Sequence, residues 1–583
     1  MILFGIHPWR VLHARFPHSM MSDSVQVLPQ HPEPKFKKDT AFWLVFITIC
    51  VSLFLSALEF TGLSTALPTI VHDLKGDDFV WVGSGYALAS TATLPLSGGL
   101  AQVFGRRAVM IIALLTFSLG SAFCGSARSM TWLIAARVVQ GLGGGGLLAL
   151  PNIILSDLVP LVERGKYHGI IGLTWALASA IAPLIGGALA NNGQWRWFFY
   201  LNLPVCGVAL ALAILFLRLP TPPGTLKEKM GRMDWIGNLL CIGSTTSFIV
   251  GLTWGGVTYP WSSARVSVAL AVGVAGFAAF IAYEAKLAKN PIIPWTLLQN
   301  RTSVSGYIQT FINPIGVVAI IYYLPSYYQA CKGDSPISSS VNSLTVSLGM
   351  APTVAIAGLS ITYYQRYRPQ AWIAWALYVV GMGSYTILKA ETPTSVVIGL
   401  CVPFSIAAGI LYSATYFPVL SPLPVSENAH ALAFFGFCRS FAAVWGVSIG
   451  AAILQNELAK RLPNDFVDLI GQSATGGGHS TGKVNLAYSV IPIIHTLEEP
   501  LKEQVRVAFA DSVAVIWKTM TGIVAIGLLA SLLMGDIPMH TYVDERWSLQ
   551  HPKVTDQDVE GSAESEDTGA KKSEQGLSDV LPG

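Results

Sequence analysis

An all-α polytopic membrane protein with about fourteen transmembrane helices is what this sequence predicts, and three observations carry the prediction. The 583 residues are 52% hydrophobic but only 12% charged, about half the charge of an ordinary soluble domain. The charges gather in short connections and in the two tails, leaving apolar runs of about 20 residues, the length that crosses a ~30 Å hydrocarbon core. A few ionisable residues stand inside those runs, above all Glu59 in LFLSALEFTGLSTALP and Arg137 in LIAARVVQGLGGGG. An ionised side chain at mid-bilayer costs at least ~2.5–3.5 kcal/mol, so such residues pair with each other or face a water-filled path. One acid and one base in a polytopic chain read as the working charges of a transporter, with a purely structural salt bridge as the alternative.

The runs fall near 41–65, 79–101, 108–126, 131–154, 168–190, 197–217, 235–254, 267–285, 304–328, 339–361, 371–389, 395–418, 431–454 and 517–535. The seventh is Gly-rich and the ninth is interrupted by Pro314. Alternate connections collect base: Arg106 and Arg107; Arg164 and Lys166; Arg218, Lys227, Lys229 and Arg232; Lys286, Lys289 and Arg301; Arg366 and Arg368. The N-terminal tail, with Lys35, Lys37 and Lys38, belongs with them, and basic connections face the cytosol. Both termini are therefore expected in the cytosol, which an even number of spans allows. Gln455–Trp517 becomes a long outer connection, whose stretch LEEPLKEQVRVAFADSVAVIW reads as an amphipathic helix on the outer face. The tail from Asp544 onward, rich in Ser, Gly, Glu and Asp, reads as disordered.

Other classes are excluded on composition. Lys+Arg 36 against Asp+Glu 33 gives no case for nucleic acid or an acidic partner. The seven cysteines form no CxxC or Cys/His set, so neither a disulfide framework, a metal site nor a cofactor is expected. The opening MILFGIHPWRVLHARF is too short in its apolar run for a signal peptide, and the residues ahead of Met20 and Met21 read as an upstream extension. Gly141, Gly143 and Gly146 fit a dinucleotide fingerprint, but with no strand before them they read as small residues for close helix approach. Gly477 to Lys483 nearly matches a phosphate-binding loop, yet Val484 replaces the Ser or Thr that would hold magnesium, and the segment is expected outside the cell. All eleven histidines fall in tails, loops or span ends, His168 and His430 being nearest to mid-span, which argues against an intramembrane enzyme.

The connection after span two reads GGLAQVFGRR over 98–107. It resembles the loop motif G-x-L-A-D-R-x-G-R-[RK] of the major facilitator superfamily, with Gly98, Gly105, Arg106 and Arg107 in register. Gln102 and Val103 depart from it, removing the carboxylate by which the family couples this loop to a neighbouring helix end. Further resemblances follow in order. Arg137, Gln140 and Gly141 match the fourth-helix motif R-x-x-Q-G, and Glu59 with Ala66, Leu67 and Pro68 matches the first-helix motif L-D-x-T…A-L-P, Glu replacing Asp. ASAIAPLIGG over 178–187, with Pro183, Gly186 and Gly187, is similar to the antiporter motif G-x-x-x-G-P-x-x-G-G, and WRWFFYLNLP over 195–204 resembles the entry to span six of drug:proton antiporters. Asp234 to Gly237, Trp254 to Gly256 and Tyr322 to Pro325 look like the fungal members of the fourteen-spanner branch.

The resemblance covers roughly 41–535. It implies a tail (1–40), an N-terminal six-helix half (41–217), a linker with two extra helices (218–303), a C-terminal half with the outer loop 455–517 (304–535), and a cytosolic tail (536–583). It implies no enzymatic activity but proton-coupled efflux of a small organic compound such as a drug, toxin or secondary metabolite; uptake or facilitated diffusion of a nutrient or chelate is the alternative. Its partners would be the substrate, protons and the bilayer, with the chain acting as a monomer in the plasma membrane, or in the vacuolar membrane as the second choice.

Within that frame Glu59 lies about nine residues before Pro68, ~14 Å from the outer end of its helix, and Arg137 about six residues into span four from the same side, ~9 Å. The two are expected to meet, directly or through water, and to couple protons to substrate: protonated Glu59 releases substrate and the carboxylate accepts it. Gln140, Trp175, Gln309 and Asn313 are candidate cavity residues; for Trp175 and Asn313 helix packing is an equally simple role. Pro183, Gly186 and Gly187 read as packing and gating residues, and Arg439 as snorkelling to the cytosolic headgroups rather than facing the cavity. The topology has a direct check. Lys483 should react with an impermeant amine reagent on intact cells and Lys571 only after permeabilisation; equal reactivity would put one span in error.

Overall fold

The computed structural model describes residues 38–74, 80–256, 259–466 and 491–547. The first half comprises α1 (Thr40–Leu74), α2 (Val80–Phe104), α3 (Arg106–Gly125), α4 (Met130–Leu158), α5 (Leu161–Asn191) and a sixth span in two pieces, α6 (Arg196–Tyr200) and α7 (Asn202–Phe216). A short helix, α8 (Leu226–Arg232), whose Thr225 and Glu228 form a capping box, leads into the hairpin of α9 (Trp235–Trp254) and α10 (Ala264–Lys286). The second half comprises α11 (Arg301–Tyr327), α12 (Pro336–Tyr364), α13 (Arg368–Ser384), α14 (Thr394–Ala414) with its extension α15 (Tyr416–Leu420), α16 (Asn428–Arg461) and α17 (Leu501–Ser531).

Twelve of the described helices are long and apolar enough to cross a membrane. The expected second and eleventh spans correspond to α2, diluted by Ser, Thr and Gly, and to α13, with only 17 residues. Both are packed between helices that do qualify, α2 against α4 and α16, α13 against α14 and α17. The expected fourteen is thus met by twelve helices on length and composition, and approached by two more on position.

Each half has its own core. In the first, Phe42, Phe46, Phe117 and Leu150 are buried together; in the second, Tyr323, Trp375, Tyr378, Phe404 and Trp517. The extra hairpin lies against α2 and α16, where Phe248 packs its ring 5.6 Å from Phe441 and 5.4 Å from Trp445. The halves close on each other near the face that carries Arg106, Arg164, Arg366 and Arg368, called the basic face below. Here Gly165 of α5 and Gly358 of α12 let the backbones touch: a Cβ on Gly165 would fall 2.3 Å from the Gly358 carbonyl oxygen. On the other side of the seam, a Cβ on Gly98 of α2 would fall 2.5 Å from the Ala433 methyl of α16.

Two expectations are corrected. The amphipathic stretch before the last span is no separate surface helix. It is the first half of α17, burying Val505, Phe509, Val513 and Trp517 in the second half's core. Its polar residues sit where the helix emerges: Arg506 donates to the Cys331 carbonyl (2.8 Å) and to Glu503 (2.7 Å). The outer connection shortens accordingly, since α16 runs to Arg461 and α17 starts at Leu501. Residues 467–490, with the Gly477 to Lys483 stretch, lie outside the described residues.

The second correction concerns the tail. After α17 the chain crosses the basic face as a strap. Asp536 lies 3.7 Å from Arg368, the Tyr367 hydroxyl donates to the Ile537 carbonyl (3.4 Å), and His540 donates through Nε2 to the Leu423 carbonyl (2.8 Å). The His540 carbonyl then accepts from the Val162 amide of the first half (3.2 Å), and Trp547 lays its ring 3.3 Å from the Arg106 guanidinium. The tail is therefore ordered as far as Trp547, because a flat buried cation gives an aromatic ring something to stack on. Residues 548–583 lie outside the described residues.

Candidate functional site

Four helices of the first half converge on Glu59. Arg137 and Gln140 stand three residues apart on one face of α4, so both reach the same point. Arg137 Nη1 donates to Glu59 Oε2 (2.5 Å) and to Gln140 Oε1 (2.5 Å), and its Nε donates to the Val82 carbonyl (2.9 Å). Gln140 Nε2 donates to Glu59 Oε1 (2.8 Å) and to Ser121 Oγ of α3 (2.6 Å). Asn202, the first residue of α7, donates to the same Oε1 (2.6 Å). The Tyr86 ring covers the guanidinium at 4.6 Å. Glu59 and Gln140 are fully buried and Arg137 nearly so.

Arg137, Gln140 and Asn202 all donate to Glu59, and the pair is buried from solvent. Breaking one partner of such a pair leaves an uncompensated charge, which costs about 3–5 kcal/mol. Protonation of Glu59 would have a similar local effect on Arg137, leaving it the Gln140 and Val82 oxygens. The network is thus a clasp joining α1, α2, α3, α4 and α7. Asn202 and Ser121 were not singled out from sequence; the available signal was an amide opening an otherwise apolar span within the WRWFFYLNLP motif.

The other candidates are scattered. Gln140 belongs to the clasp. Trp175 is half-buried on α5, its ring 6.3 Å from Phe60, the neighbour of Glu59. Gln309 is buried, accepting from Trp375 Nε1 (2.7 Å) and donating to Ser305 Oγ (2.9 Å), which ties α11 to α13. Asn313 is buried on α11, its backbone carbonyl taken by the Tyr378 hydroxyl (2.9 Å), while its side-chain oxygen has no protein partner among the described residues. Pro183, Gly186 and Gly187 lie in α5, which packs on α1 where a Cβ on Gly62 would come 2.9 Å from the Ala182 methyl.

At the basic face Gly105, with φ 90°, makes the turn between α2 and α3 that a side chain would strain. Arg106 is buried on Asp157 at the end of α4 (Nε to Oδ2, 2.8 Å) and also donates to the Ala101 carbonyl (3.0 Å). Arg107 donates to the Ile214 carbonyl at the end of α7 (2.6 Å). Gln102 donates to the Ser426 carbonyl of the second half (3.3 Å), so this loop bridges the seam without the family's carboxylate. Asp157 went unremarked in the sequence, where one acid at the end of an apolar run looks like a helix terminus. In the strap, Arg546 beside Asp544 holds its carboxyl below the usual carboxylate range.

Arg439 is the remaining surprise. Instead of reaching headgroups, it is half-buried eleven residues beyond the start of α16. It stacks 4.0 Å from the Tyr412 ring and 4.8 Å from Phe435, and donates to the Tyr412 carbonyl (3.0 Å).

Residues 49–447 match the family model described as Major Facilitator Superfamily. The chain belongs to the major facilitator superfamily. It is 36% identical to the efflux pump FUS6 of Gibberella moniliformis over 90% of this chain and 93% of that protein. It is 37% identical to the MFS-type efflux pump LUC4 of a Fusarium species, again over 90% and 93%. The crystal structure of the human organic anion transporter MFSD10 is similar in fold, with a TM-score of 0.55 at 15% identity, covering 84% of this chain and 99% of that one. As a member of the superfamily the chain is a multi-pass membrane transporter of small molecules, not an enzyme.

Two measurements test the geometry. Asp157→Asn leaves Arg106 buried without its anion and should destabilise the protein by about 3–5 kcal/mol; an unshifted melting curve in detergent would mean that Trp547 and the Ala101 carbonyl suffice. A cycle of Glu59→Gln, Arg137→Gln and the double variant should give a coupling energy of at least about 1 kcal/mol. Additive losses would show that the pair does not act as a unit.

Proposed function

We propose that this carrier is a proton-coupled exporter that exchanges protons for a small organic compound of the secondary-metabolite or drug type. The observation that carries the reading is the buried clasp of Glu59, Arg137, Gln140 and Asn202, an acid held by three donors from neighbouring helices. The names of the efflux-pump relatives support the outward direction of transport. The basic face and both termini lie in the cytosol, by the excess of Lys and Arg. The closed seam then corresponds to a carrier shut toward the cytosol. The chain acts alone in the plasma membrane.

In this mechanism a proton entering from outside neutralises Glu59, and the charge-assisted bonds from Arg137, Gln140 and Asn202 weaken together. The clasp loosens α1 and α4 relative to α7. Since α1 packs on α5 at Ala182, and α5 meets α12 at Gly358, the change at Glu59 has a packed route to the seam. Opening of the seam toward the cytosol lets substrate enter as the proton leaves, in the rocking exchange of two halves about a central site. Asn313, with its free amide oxygen on α11, and Trp175 with Phe60 are the proposed polar and aromatic contacts of that site.

Proteoliposomes with an imposed pH gradient test the proposal against a panel of amphipathic natural products. Glu59→Gln should abolish gradient-driven accumulation while passive exchange of the same compound persists, because the shape is kept and the titratable proton is lost. Unchanged accumulation by that variant would remove Glu59 from coupling.

A further inference from the structure

The described arginines buried in the bundle are answered in different ways. Arg137 meets Glu59 and Arg106 meets Asp157. Arg164 donates to the Val159 and Ser156 carbonyls, at the negative end of α4 (2.6 and 2.7 Å). Arg439 differs from all three. Among the described residues no carboxylate stands within ion-pair distance, and its hydrogen-bond partner is the neutral Tyr412, through the backbone carbonyl (3.0 Å) and through the side chain. The rings of Tyr412 and Phe435 cover the guanidinium and offset part of its desolvation. Neither the rings nor the Tyr412 oxygens carry the negative charge that an ion pair would supply.

Its place is equally particular. Eleven residues of α16 put Arg439 ~16 Å from the basic end, about halfway across a ~30 Å hydrocarbon core. Two contacts that shut the seam along α16, Gly98 on Ala433 and Leu94 on Gly436, lie between it and the basic face. Across the seam stands His168 of α5, buried, its ring 5.8 Å from Tyr412 and 4.7 Å from Tyr416, with Nδ1 lacking a protein partner among the described residues. Arg439 is therefore a half-buried cation stacked on Tyr412, whose ring meets His168 of the first half, and His168 Nδ1 has no protein partner among the described residues. A cation kept at this depth without a counterion calls for a ligand that supplies one.

We propose that Arg439 is the recognition point for an anionic group of the transported compound, so that this carrier selects amphipathic organic acids, above all carboxylates. The planar guanidinium matches a carboxylate's two oxygens, which an ammonium would not. The Tyr412 and Phe435 rings, with His168 opposite, suit the apolar body next to the acid group. The first half adds no competing attraction for cations, because the charge of Glu59 is cancelled by Arg137. The inference rests on the reading of the chain as a small-molecule exporter and names its substrate class.

The test is a binding measurement with no proton gradient, on the full chain in lipid nanodiscs at neutral pH, using dansyl-undecanoic acid and its methyl ester. The wild-type protein should bind the acid at least about tenfold more tightly than the ester, the scale of one charge-assisted hydrogen bond. Arg439→Gln should bring the acid down to the ester's level and leave the ester unchanged, and Arg439→Lys should keep part of the preference. Equal binding of the two probes by the wild type, or no saturable binding of either, overturns the proposal. So does an Arg439→Gln variant that still prefers the acid, or one that weakens both probes alike, as a mere staple to Tyr412 would. Failure of the exporter reading is separable. If Glu59 has no part in coupling, Glu59→Gln still pumps, whatever preference the binding assay shows; if Arg439 has no part in recognition, gradient-driven transport persists with no preference for acids.

Discussion

A charge removed from water must be met by an opposite charge, by aligned dipoles or by something that arrives from outside, and most of this molecule's arrangement follows from that demand. The Glu59–Arg137 pair is its strongest expression. Neither charge could remain at mid-bilayer alone, and each needs more than the other, since a lone ion contact leaves lone pairs and N–H groups bare. Hence the amides of Gln140 and Asn202, the Val82 carbonyl and the Ser121 hydroxyl are drawn in from neighbouring helices. Satisfying one ion pair fixes how five helices of the first half sit together.

The same demand shapes the basic face, with a different outcome. Arg106 is held by Asp157 and roofed by Trp547, so the loop between α2 and α3, the end of α4 and the strap after α17 share one cation. The seam beneath is held by shape rather than charge: glycines at 98, 165 and 358 bring the backbones of the two halves into van der Waals contact. Contacts of that kind form and part without stranding buried charges. The strap adds hydrogen bonds to both halves, through Leu423 and Val162. Small-residue contacts occur both within the halves and between them, whereas the buried ion pairs of Glu59 with Arg137 and of Arg106 with Asp157 lie within the first half.

Much of this was legible in the sequence. Glu59 and Arg137 announced themselves because a charge in an apolar run is anomalous at any resolution, and their depths followed from counting residues along helices. The small-residue reading of Gly141, Gly143 and Gly146 agrees with their close approach to α2 and α3. Less legible were residues whose meaning depends on a partner far along the chain. Asp157 looked like a helix end until Arg106, 51 residues away, came to rest on it. Gln102 looked like the loss of a gating contact, yet its amide reaches Ser426 across 324 residues. Gln309 looked like a cavity residue, but Trp375 takes its oxygen inside the second half.

What the sequence by itself determined is what hydropathy, length and charge placement can determine: a helical membrane bundle, the order of its spans, the basic side, and which charges cannot be incidental. These are local quantities, set by the free energy of moving each segment from water into lipid. Tertiary structure alone decided where each polar group found its counterpart. It turned the stretch before the last span from a surface helix into buried core, ordered the tail as far as Trp547, and left Arg439 over two rings with no acid beside it among the described residues. Partners are chosen by packing among segments distant along the chain. The cost of an unsatisfied buried group is known from the residue alone, but the group that satisfies it is known only once the helices have met.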